Sequence, residues 1–532
     1  MADSIHLGLF PQCGACADTI FRHERTRRCV TSFRGITRPF LFPQLGYCMT
    51  EVDGFRLCRR PGCRQCAASP EFSSLEWTEA LRRLWVAAAW RTPWRGAPPM
   101  SFPIDASSSP SLEALCDICE FSQLYKLPFE LRRIIQSYSE HAWLWRSALV
   151  FDLAARISRE TLNSLFTMPL KDIVSWERGK RPQDASSLPS LPLMRIVVDA
   201  VGISKVERIS VQPYKGECHN RCVYMVEHEE AISRYRAQFK DGFLRLDLAS
   251  SSYSPAVWNT PSPPDLQLCQ AYEKKRLFQF QRFFAVELDG VRGITFFFSS
   301  RHLYGVHVHR STAPCASSSW QRLPPRRRRS ILWCHLPIAN QDRILVLGVR
   351  LSTDLGFNIL VRMREAGDVI LGPSIPGSAE DRCLGRHAPI TLIHGEPQEG
   401  QIVPYFGAYC QPTNGSQLPR RFQIYKPRSY PLGEDAHLSM APLEGIRLVD
   451  VFYDQDSRHC RGMVFHYQNG GCRAVGQCRI SEDSTKQFTQ PSQLCFRIDS
   501  ARGNHGSTLS AVQMDWKADP HVHDEKGWEC RS

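Results

Sequence analysis

Two pairs of cysteines near the start of the chain have the spacing of metal ligands. They are Cys13-Gly-Ala-Cys16 and Cys63-Arg-Gln-Cys66. A two-residue spacer lets both thiolates reach one tetrahedral Zn²⁺ at about 2.3 Å. Further ligands could come from Cys29, Cys48 and Cys58. We therefore expect at least one zinc ion here, which would supply folding free energy to an arginine-rich segment with few apolar residues. The alternative is a set of unrelated thiols.

The cysteine content also bears on the cellular compartment. The chain has 21 cysteines, an odd number, and its opening MADSIHLGLF lacks the basic and apolar regions of a secretory signal. No apolar run reaches the length of about 18 residues that a membrane span requires. We therefore expect a soluble intracellular protein, cytoplasmic or nuclear, whose cysteines are thiols or metal ligands and not disulfides.

Length, charge and composition narrow the class of protein. With 532 residues, 42% hydrophobic and 22% charged, the chain predicts an ordinary globular protein of about two to four domains. The net charge of +13 permits anionic partners, but the arginines are spread along the whole chain, as in many basic soluble proteins. We expect neither nucleic acid nor a membrane as the partner.

A helical segment follows a Pro- and Ser-rich linker that ends near residue 111. In KLPFELRRIIQSYSEHAWLWR, Pro128 suits a first helical turn, and two tryptophans, Trp143 and Trp145, come after the helix. One apolar face is predicted, formed by Phe129, Leu131, Ile134, Ile135 and Tyr138. This stretch is either a docking surface or a bridge that packs against another domain. We favour the bridge, and exposure of Leu131 and Ile135 would reverse that preference.

Beyond residue 190 the pattern changes to short strands. Apolar runs such as GFLRLDL, GITFFFSS and RILVLGVRL alternate with Gly, Pro, Asn and Asp. This predicts a large, mainly antiparallel β domain, either a sandwich or a propeller-like or barrel-like assembly. Two segments, GITFFFSSRHLYGVHVH and GMVFHYQNGGCRAVGQC, share a glycine, strand, turn and strand order that predicts related hairpins.

Two resemblances add to this interpretation. The segment LPFELRRIIQSY resembles the opening of an F-box, in which Leu-Pro begins the first helix and apolar residues contact the Skp1 adaptor. The matching residues are Leu127, Pro128, Leu131, Ile134 and Ile135. More broadly, the chain resembles a group of uncharacterised filamentous-fungal proteins, through IVSWERG, GITFFFSSRHLYGVHVH, APLEGIRLVDVF and CRGMVFHYQNG. A Cys-rich N-terminus is typical of that group, so the resemblance implies zinc but no activity.

These patterns predict an α+β multidomain protein. Its parts are a Cys-rich zinc-binding module at 1–70, a helix and linker at 71–111, a helical F-box-like segment at 112–185 and a β-rich domain at 190–532. Cys116 and Cys119 are expected in the helical core, because cysteines three apart share a helix face. His307 and His309, two apart in a strand, also share a face, and we favour a polar sheet face over a metal site.

No stretch resembles a P-loop, a G-x-S-x-G elbow, an H-E-x-x-H helix or a dinucleotide fingerprint, so the sequence does not favour an enzyme. The leading prediction is a non-catalytic interaction or adaptor protein that binds protein partners. Its sharpest form is a ubiquitin-ligase substrate adaptor that binds a Skp1-type adaptor. The alternatives are a lectin-like or small-ligand-binding β domain, with stacking surfaces at Tyr304, His307 and Tyr467, and an enzyme or accessory protein of a fungal biosynthetic pathway.

Overall fold

The chain divides into two units, which are described separately. The first comprises Met1–Pro213, His219–Ser262 and Phe278–Phe280, and the second Tyr214–Cys218, Pro263–Leu277 and Gln281–Ser532. The computed structural model describes residues 28–31, 49–52, 55–58, 106–118, 120–139, 144–145, 148, 166–184, 191–199, 202–210, 222–240, 242–248, 255–272, 282–310, 315–323, 325–351, 356–373, 379–387, 389–397, 401–410, 421–422, 437–457, 459–491, 493–500, 507–515 and 528–531.

The first unit contains short helices and three groups of paired strands. The helices are α1 (Leu112–Ile118), α2 (Ser122–Lys126), α3 (Phe129–Tyr138) and α4 (Glu229–Ile232), with 3₁₀ turns at Ala106–Ser108 and Leu170–Asp172. The strands are β1 (Arg28–Thr31), β2 (Met49–Val52), β3 (Phe55–Cys58), β4 (Phe166–Pro169), β5 (Ile173–Glu177), β6 (Gln183–Asp184), β7 (Leu193–Asp199), β8 (Gly202–Ile209), β9 (Val223–His228), β10 (Tyr235–Lys240), β11 (Phe243–Leu248) and β12 (Val257–Trp258).

The largest group of strands in this unit has the order β12-β9-β7-β8-β5-β6, and every pairing in it is antiparallel. Strand β7 alternates strictly between more and less buried positions, as expected for a strand with one face on a core. Ile173 and Trp176 of β5 contribute to that core. Strands β4, β5 and β6 therefore lie inside the segment 112–185 that was expected to be helical, and the core of this sheet takes up side chains of β5.

In its described residues, the second unit consists mainly of strands. They are β13 (Gln270–Ala271), β14 (Arg282–Glu287), β15 (Gly293–Ser299), β16 (His302–His309), β17 (Leu332–Pro337), β18 (Ile344–Leu351), β19 (Phe357–Met363), β20 (Asp368–Leu371), β21 (Glu380–Arg386), β22 (Ile390–Gly395), β23 (Phe406–Cys410), β24 (Ile446–Tyr453), β25 (Cys460–Tyr467), β26 (Cys472–Gly476), β27 (Ser484–Thr489), β28 (Gln493–Ser500), β29 (Ser507–Asp515) and β30 (Trp528–Arg531). Two short helices are α5 (Ala316–Gln321) and α6 (Pro325–Arg328).

These strands form antiparallel groups with the orders β13-β23-β22-β14, β16-β15-β17, β20-β19-β18-β21, β26-β25-β24-β27 and β29-β28-β30. The predicted β-rich, mainly antiparallel character is confirmed, and none of the sheets within the described residues closes into a barrel. The two segments predicted to be hairpins are β15 with β16 and β25 with β26. No described helix combines the length and the apolar character needed to cross a membrane.

The sheet β26-β25-β24-β27 has one apolar face and one mixed face. Alternate residues Val449, Val451 and Phe465 pack into a cluster on one side. The residues between them, including Asp450 and His466, point to the other side because side chains alternate along a strand. This mixed face carries the polar group described below.

Candidate functional site

Most of the predicted zinc ligands lie outside the described residues. These are Cys13, Cys16, Cys48, Cys63 and Cys66. Cys29 lies in β1 opposite Thr50, and Cys58 lies in β3 opposite Met49, so the backbone places both in one three-stranded sheet. Elsewhere in the described part of the chain, no group of three or more His, Cys, Asp or Glu side chains could hold a metal ion. Zinc binding stays a prediction.

The predicted partner-binding residues lie on and just before helix α3. Leu127 precedes the helix, and Pro128 is its N-cap residue, so the helix begins where the sequence predicted. The apolar stripe on α3 is exposed: 46% of Leu131, 50% of Ile134, 38% of Ile135 and 89% of Tyr138 are accessible. Exposure of Leu131 and Ile135 favours the docking interpretation over the structural bridge.

The other flank of α3 holds the helix in place. The Ser107 amide donates to Gln136 Oε1 at 2.9 Å, and Trp145 Nε1 donates to Ser139 Oγ at 2.9 Å. At about 100° per residue, Gln136 lies about 140° around the helix from Leu131, and Ser139 is the C-cap residue that follows α3. The helix is therefore held through Gln136 and at its C-terminal end, while its apolar stripe stays exposed.

The tryptophan after the helix belongs to a small helical core. Trp145 is buried together with Leu112, Leu115 and Cys116. Cys116 thus occupies the core position that was predicted for it, and Cys119, predicted with it, lies outside the described residues. This core orders the segment around α3 without covering the stripe.

Three histidines gather on the sheet β16-β15-β17. The ring centroids of His307 and His309 are 4.7 Å apart, so the two share a face as predicted. The Thr295 hydroxyl lies 2.7 Å from His309 Nε2 and 3.1 Å from His335 Nδ1. Burial is the main cause that lowers the pKa of His309 to about 4 and that of His335 to about 3. Both rings are therefore neutral near pH 7 and act as hydrogen-bonding groups inside the fold.

Two of the three predicted stacking residues are not accessible. Tyr304 and His307 are both buried, and Arg327 lies over the Tyr304 ring. Tyr467 is also largely buried, but it lines a pocket in the second unit. All three residues are therefore buried, and of the three only Tyr467 lines this pocket.

This pocket has a volume of about 540 Å³. Its described lining includes two guanidinium groups, Arg292 and Arg447, and no carboxylate. Amide side chains lie between them at Asn340, Gln341 and Gln468. The arrangement suits a polar ligand that carries negative charge.

A cysteine, a histidine and an aspartate form a hydrogen-bonded row at the pocket. Cys472 Sγ lies 3.1 Å from His466 Nδ1, and His466 Nε2 lies 2.8 Å from Asp450 Oδ2. The second carboxylate oxygen, Oδ1, accepts a hydrogen bond from Gln487 Nε2 at 2.9 Å. Because a carboxylate only accepts, Nε2 carries the imidazole proton and Nδ1 is left to accept from the thiol. Cys472 and His466 both line the pocket.

Sheet register explains why these side chains meet. His466 on β25 is the direct partner of Cys472 on β26, and Asp450 on β24 is the direct partner of Gln487 on β27. A β-bulge in β24 between Ile446 and Leu448 makes Arg447 an extra residue. Bulges change the direction of a side chain, and here Arg447 lines the same pocket as His466.

The thiol is a protonated group at rest. Burial, with smaller contributions from Asp342 and Asp450, raises the pKa of Cys472 to about 11, and only Arg447 opposes this. Cys472 is 7% exposed, whereas the side chains of His466 and Asp450 are 26% and 20% exposed. A protonated thiol therefore faces Nδ1 of His466, the atom that can accept its proton.

Comparison with known proteins does not identify the chain. No protein-family model matches it, and no curated protein is significantly similar to it.

Sequence reasoning did not single out Cys472, His466 and Asp450 as a group. A signal for the first pair was present, because Asn-Gly inside HYQNGGC predicts a tight turn between two strands. Gly470 at φ +87° and the Gly470 amide bond to the Tyr467 carbonyl close that turn. The position of Asp450 depends on strand register and on the bulge, which no local pattern predicts.

Proposed function

We propose that the chain is an interaction or adaptor protein whose helix α3 docks onto a partner of the Skp1 adaptor type. The observation that carries this proposal is the exposed apolar stripe of α3. Soluble proteins rarely expose a contiguous group of large apolar side chains unless it serves an interaction. The F-box-like order of Leu127, Pro128, Leu131, Ile134 and Ile135 supports the choice of partner.

The way α3 is held adds to this support. Docking of a helix costs less conformational entropy when the helix is already formed and fixed. The bonds from Ser107 to Gln136 and from Trp145 to Ser139 provide that order before any partner binds. Arg132 lies over the Tyr125 ring at 5.2 Å, which also ties α3 to α2.

Co-purification of the full chain with a Skp1-type adaptor tests this function. We expect the wild-type chain to retain the adaptor and the double variant Leu131→Glu/Ile135→Glu to lose it, because two carboxylates would have to be buried. Arg133→Glu is the matched control, since this residue lies on the opposite side of the helix and should leave binding intact. Absence of binding with excess adaptor would refute the assignment.

A second candidate function is the binding of a small anionic ligand in the pocket of the second unit. It is supported by the two arginines and the amide side chains that line the pocket without a carboxylate in its described lining. A hydrogen bond between charged groups contributes about 1.5–3 kcal/mol when it is formed in a protein. The ligand would be a small carboxylate or phosphate.

Calorimetric titration with the 4-nitroanilide of succinic acid tests this second function. This probe carries one carboxylate and an amide that resists hydrolysis. We expect Arg447→Gln to weaken its binding by about tenfold. Arg329→Gln, an exposed arginine that does not line the pocket, should leave binding unchanged. Equal affinities in the wild type and in Arg447→Gln would refute the site.

A further inference from the structure

We propose that Cys472 is a nucleophile and His466 its general base for acyl transfer from small anionic carboxylic esters. This inference rests on the ligand-binding function of the pocket and adds chemistry to it. The row Cys472, His466 and Asp450 has the hydrogen-bond order of a nucleophile, a base and an orienting carboxylate. The row opens into a pocket of about 540 Å³ that is large enough for a small substrate.

The first step transfers the acyl group to sulfur. The Cys472 thiol gives its proton to His466 Nδ1 while sulfur forms a bond to the ester carbonyl carbon. The carbon–oxygen bond to the leaving alcohol then breaks, and His466 Nδ1 returns the proton to that oxygen. The products are a thioester on Cys472 and a free alcohol, with no oxidant or reductant required.

The second step restores the thiol with water as the co-reactant. Water gives one proton to His466 Nδ1 and attacks the thioester carbonyl carbon. The carbon–sulfur bond breaks, and sulfur takes the proton back from the imidazolium. The net reaction converts one ester and one water into one carboxylic acid and one alcohol.

Asp450 and Gln487 are positioning residues. Asp450 Oδ2 accepts a hydrogen bond from His466 Nε2 at 2.8 Å, which fixes the tautomer that leaves Nδ1 facing the thiol and stabilises the imidazolium when it forms. Gln487 donates to the other carboxylate oxygen and so holds the carboxylate in orientation. Both act through His466 without contact to the reacting carbon.

Arg447 and Arg292 define the substrate class. They are the full positive charges of the described lining, which includes no carboxylate, although Asp342 and Asp450 lie close enough behind it to raise the pKa of Cys472. A substrate that carries a carboxylate on the acyl group would be favoured over a neutral ester. Arg447, the extra residue of the bulge, lines the same pocket as His466 and lies close enough to Cys472 to act on its pKa.

The second unit contains natural comparisons for Cys472. Cys334 Sγ lies 3.7 Å from His437 Nδ1, but His437 Nε2 lies on the Ser300 carbonyl at 3.1 Å, so a neutral carbonyl replaces the carboxylate. Cys460 lies in β25 of the same sheet, and burial also raises its pKa to about 11, yet its thiol lies near the Gly462 carbonyl. We therefore expect acylation at Cys472 and at neither of the others.

The test measures 4-nitrophenol release from 4-nitrophenyl hydrogen succinate by the full chain. We expect a burst of about one equivalent and a succinyl mass increment on the peptide that contains Cys472. Cys472→Ser should lose the burst, and His466→Gln should slow it at least tenfold. Cys460→Ser is the matched control and should retain it. Asp450→Asn should lower the acylation rate constant while affinity for the succinyl 4-nitroanilide stays unchanged.

The outcomes separate this inference from the binding function. The proposal is supported if the burst with 4-nitrophenyl hydrogen succinate requires Cys472 and is larger than the burst with 4-nitrophenyl acetate. If the anilide binds but the ester gives no burst, or if Cys472→Ser retains the burst, the nucleophile is refuted and the binding site stands. If neither the anilide nor the ester interacts, both proposals fail. Far-UV circular dichroism of each variant excludes loss of fold as the cause.

Discussion

Removal of two side chains from α3 separates a docking role from a packing role. Leu131 and Ile135 are 46% and 38% exposed in the free protein. Full burial of such a side chain contributes about 1.5–3 kcal/mol. If the partner covers the exposed fractions of both residues, the pair contributes about 1–2 kcal/mol to binding, after subtraction of what the alanine methyl groups of the variant would still contribute. The variant Leu131→Ala/Ile135→Ala should therefore weaken adaptor binding by about fivefold to thirtyfold.

The same variant should leave the free protein as stable as before. Substitutions at exposed positions change the free energy of unfolding by about 0.5 kcal/mol or less, and alanine favours the helix. Calorimetric titration with a Skp1-type adaptor and urea unfolding measure the two quantities on one preparation, with Arg133→Ala as the control. A loss of more than about 2 kcal/mol of stability would show that the stripe is packed, and the docking argument would be wrong.

Three further predictions concern stability and metal content. Burial lowers the pKa of His394 from 6.5 to about 4, so the unfolded chain binds the proton first as pH falls. A pKa difference of about 2.5, at about 1.4 kcal/mol for each pKa unit, gives a loss of about 3.5 kcal/mol from this residue between pH 6.5 and 4. Urea unfolding at a series of pH values should show this slope, and a His394→Gln variant that keeps the full slope would contradict it. Gly293→Ala should cost about 1–3 kcal/mol, because its Cβ would lie 2.8 Å from His335 Cε1, and an unchanged urea midpoint would refute this. Elemental analysis of the full chain should find at least one zinc ion that is lost on serine substitution of the pairs beginning at Cys13 and Cys63, and metal-free protein would refute the zinc prediction.

Local patterns in the sequence were sufficient for many elements of the fold. The short apolar run LMRIVVD predicts β7, and the Leu-Pro start with its apolar spacing predicts α3. Both signals act over a few residues and do not depend on distant partners. The same reasoning expected helix as far as residue 185, but β5 and its neighbours use Ile173 and Trp176 in a sheet core, a tertiary effect that local propensity does not contain.

Local sequence patterns do not predict the pocket. His466 and Cys472 can be paired from the turn between them, but Asp450 joins them only because β24 pairs with β25 in one register. A shift of one residue would turn Asp450 to the apolar face. Arg447 depends on the bulge in the same strand. The exposure of α3 could not be predicted either, because the sequence pattern of an apolar helix face is the same whether that face is buried or exposed.

The raised pKa of Cys472 decides which kind of nucleophile it can be. Reactive cysteines are commonly thiolates with a lowered pKa, whereas burial here raises the pKa to about 11 and keeps the proton on sulfur near pH 7. The proton must then leave as the bond to carbon forms, as it does from a serine hydroxyl, and His466 has to receive it. Alkylation by iodoacetamide, which consumes only preformed thiolate, should therefore rise about tenfold per pH unit from pH 7 to pH 10. Mass spectrometry should give the same slope for the matched Cys460, whose pKa is also about 11. A rate at Cys472 that is already maximal at pH 7 would mean a stable thiolate–imidazolium pair, and the serine-like mechanism would be wrong.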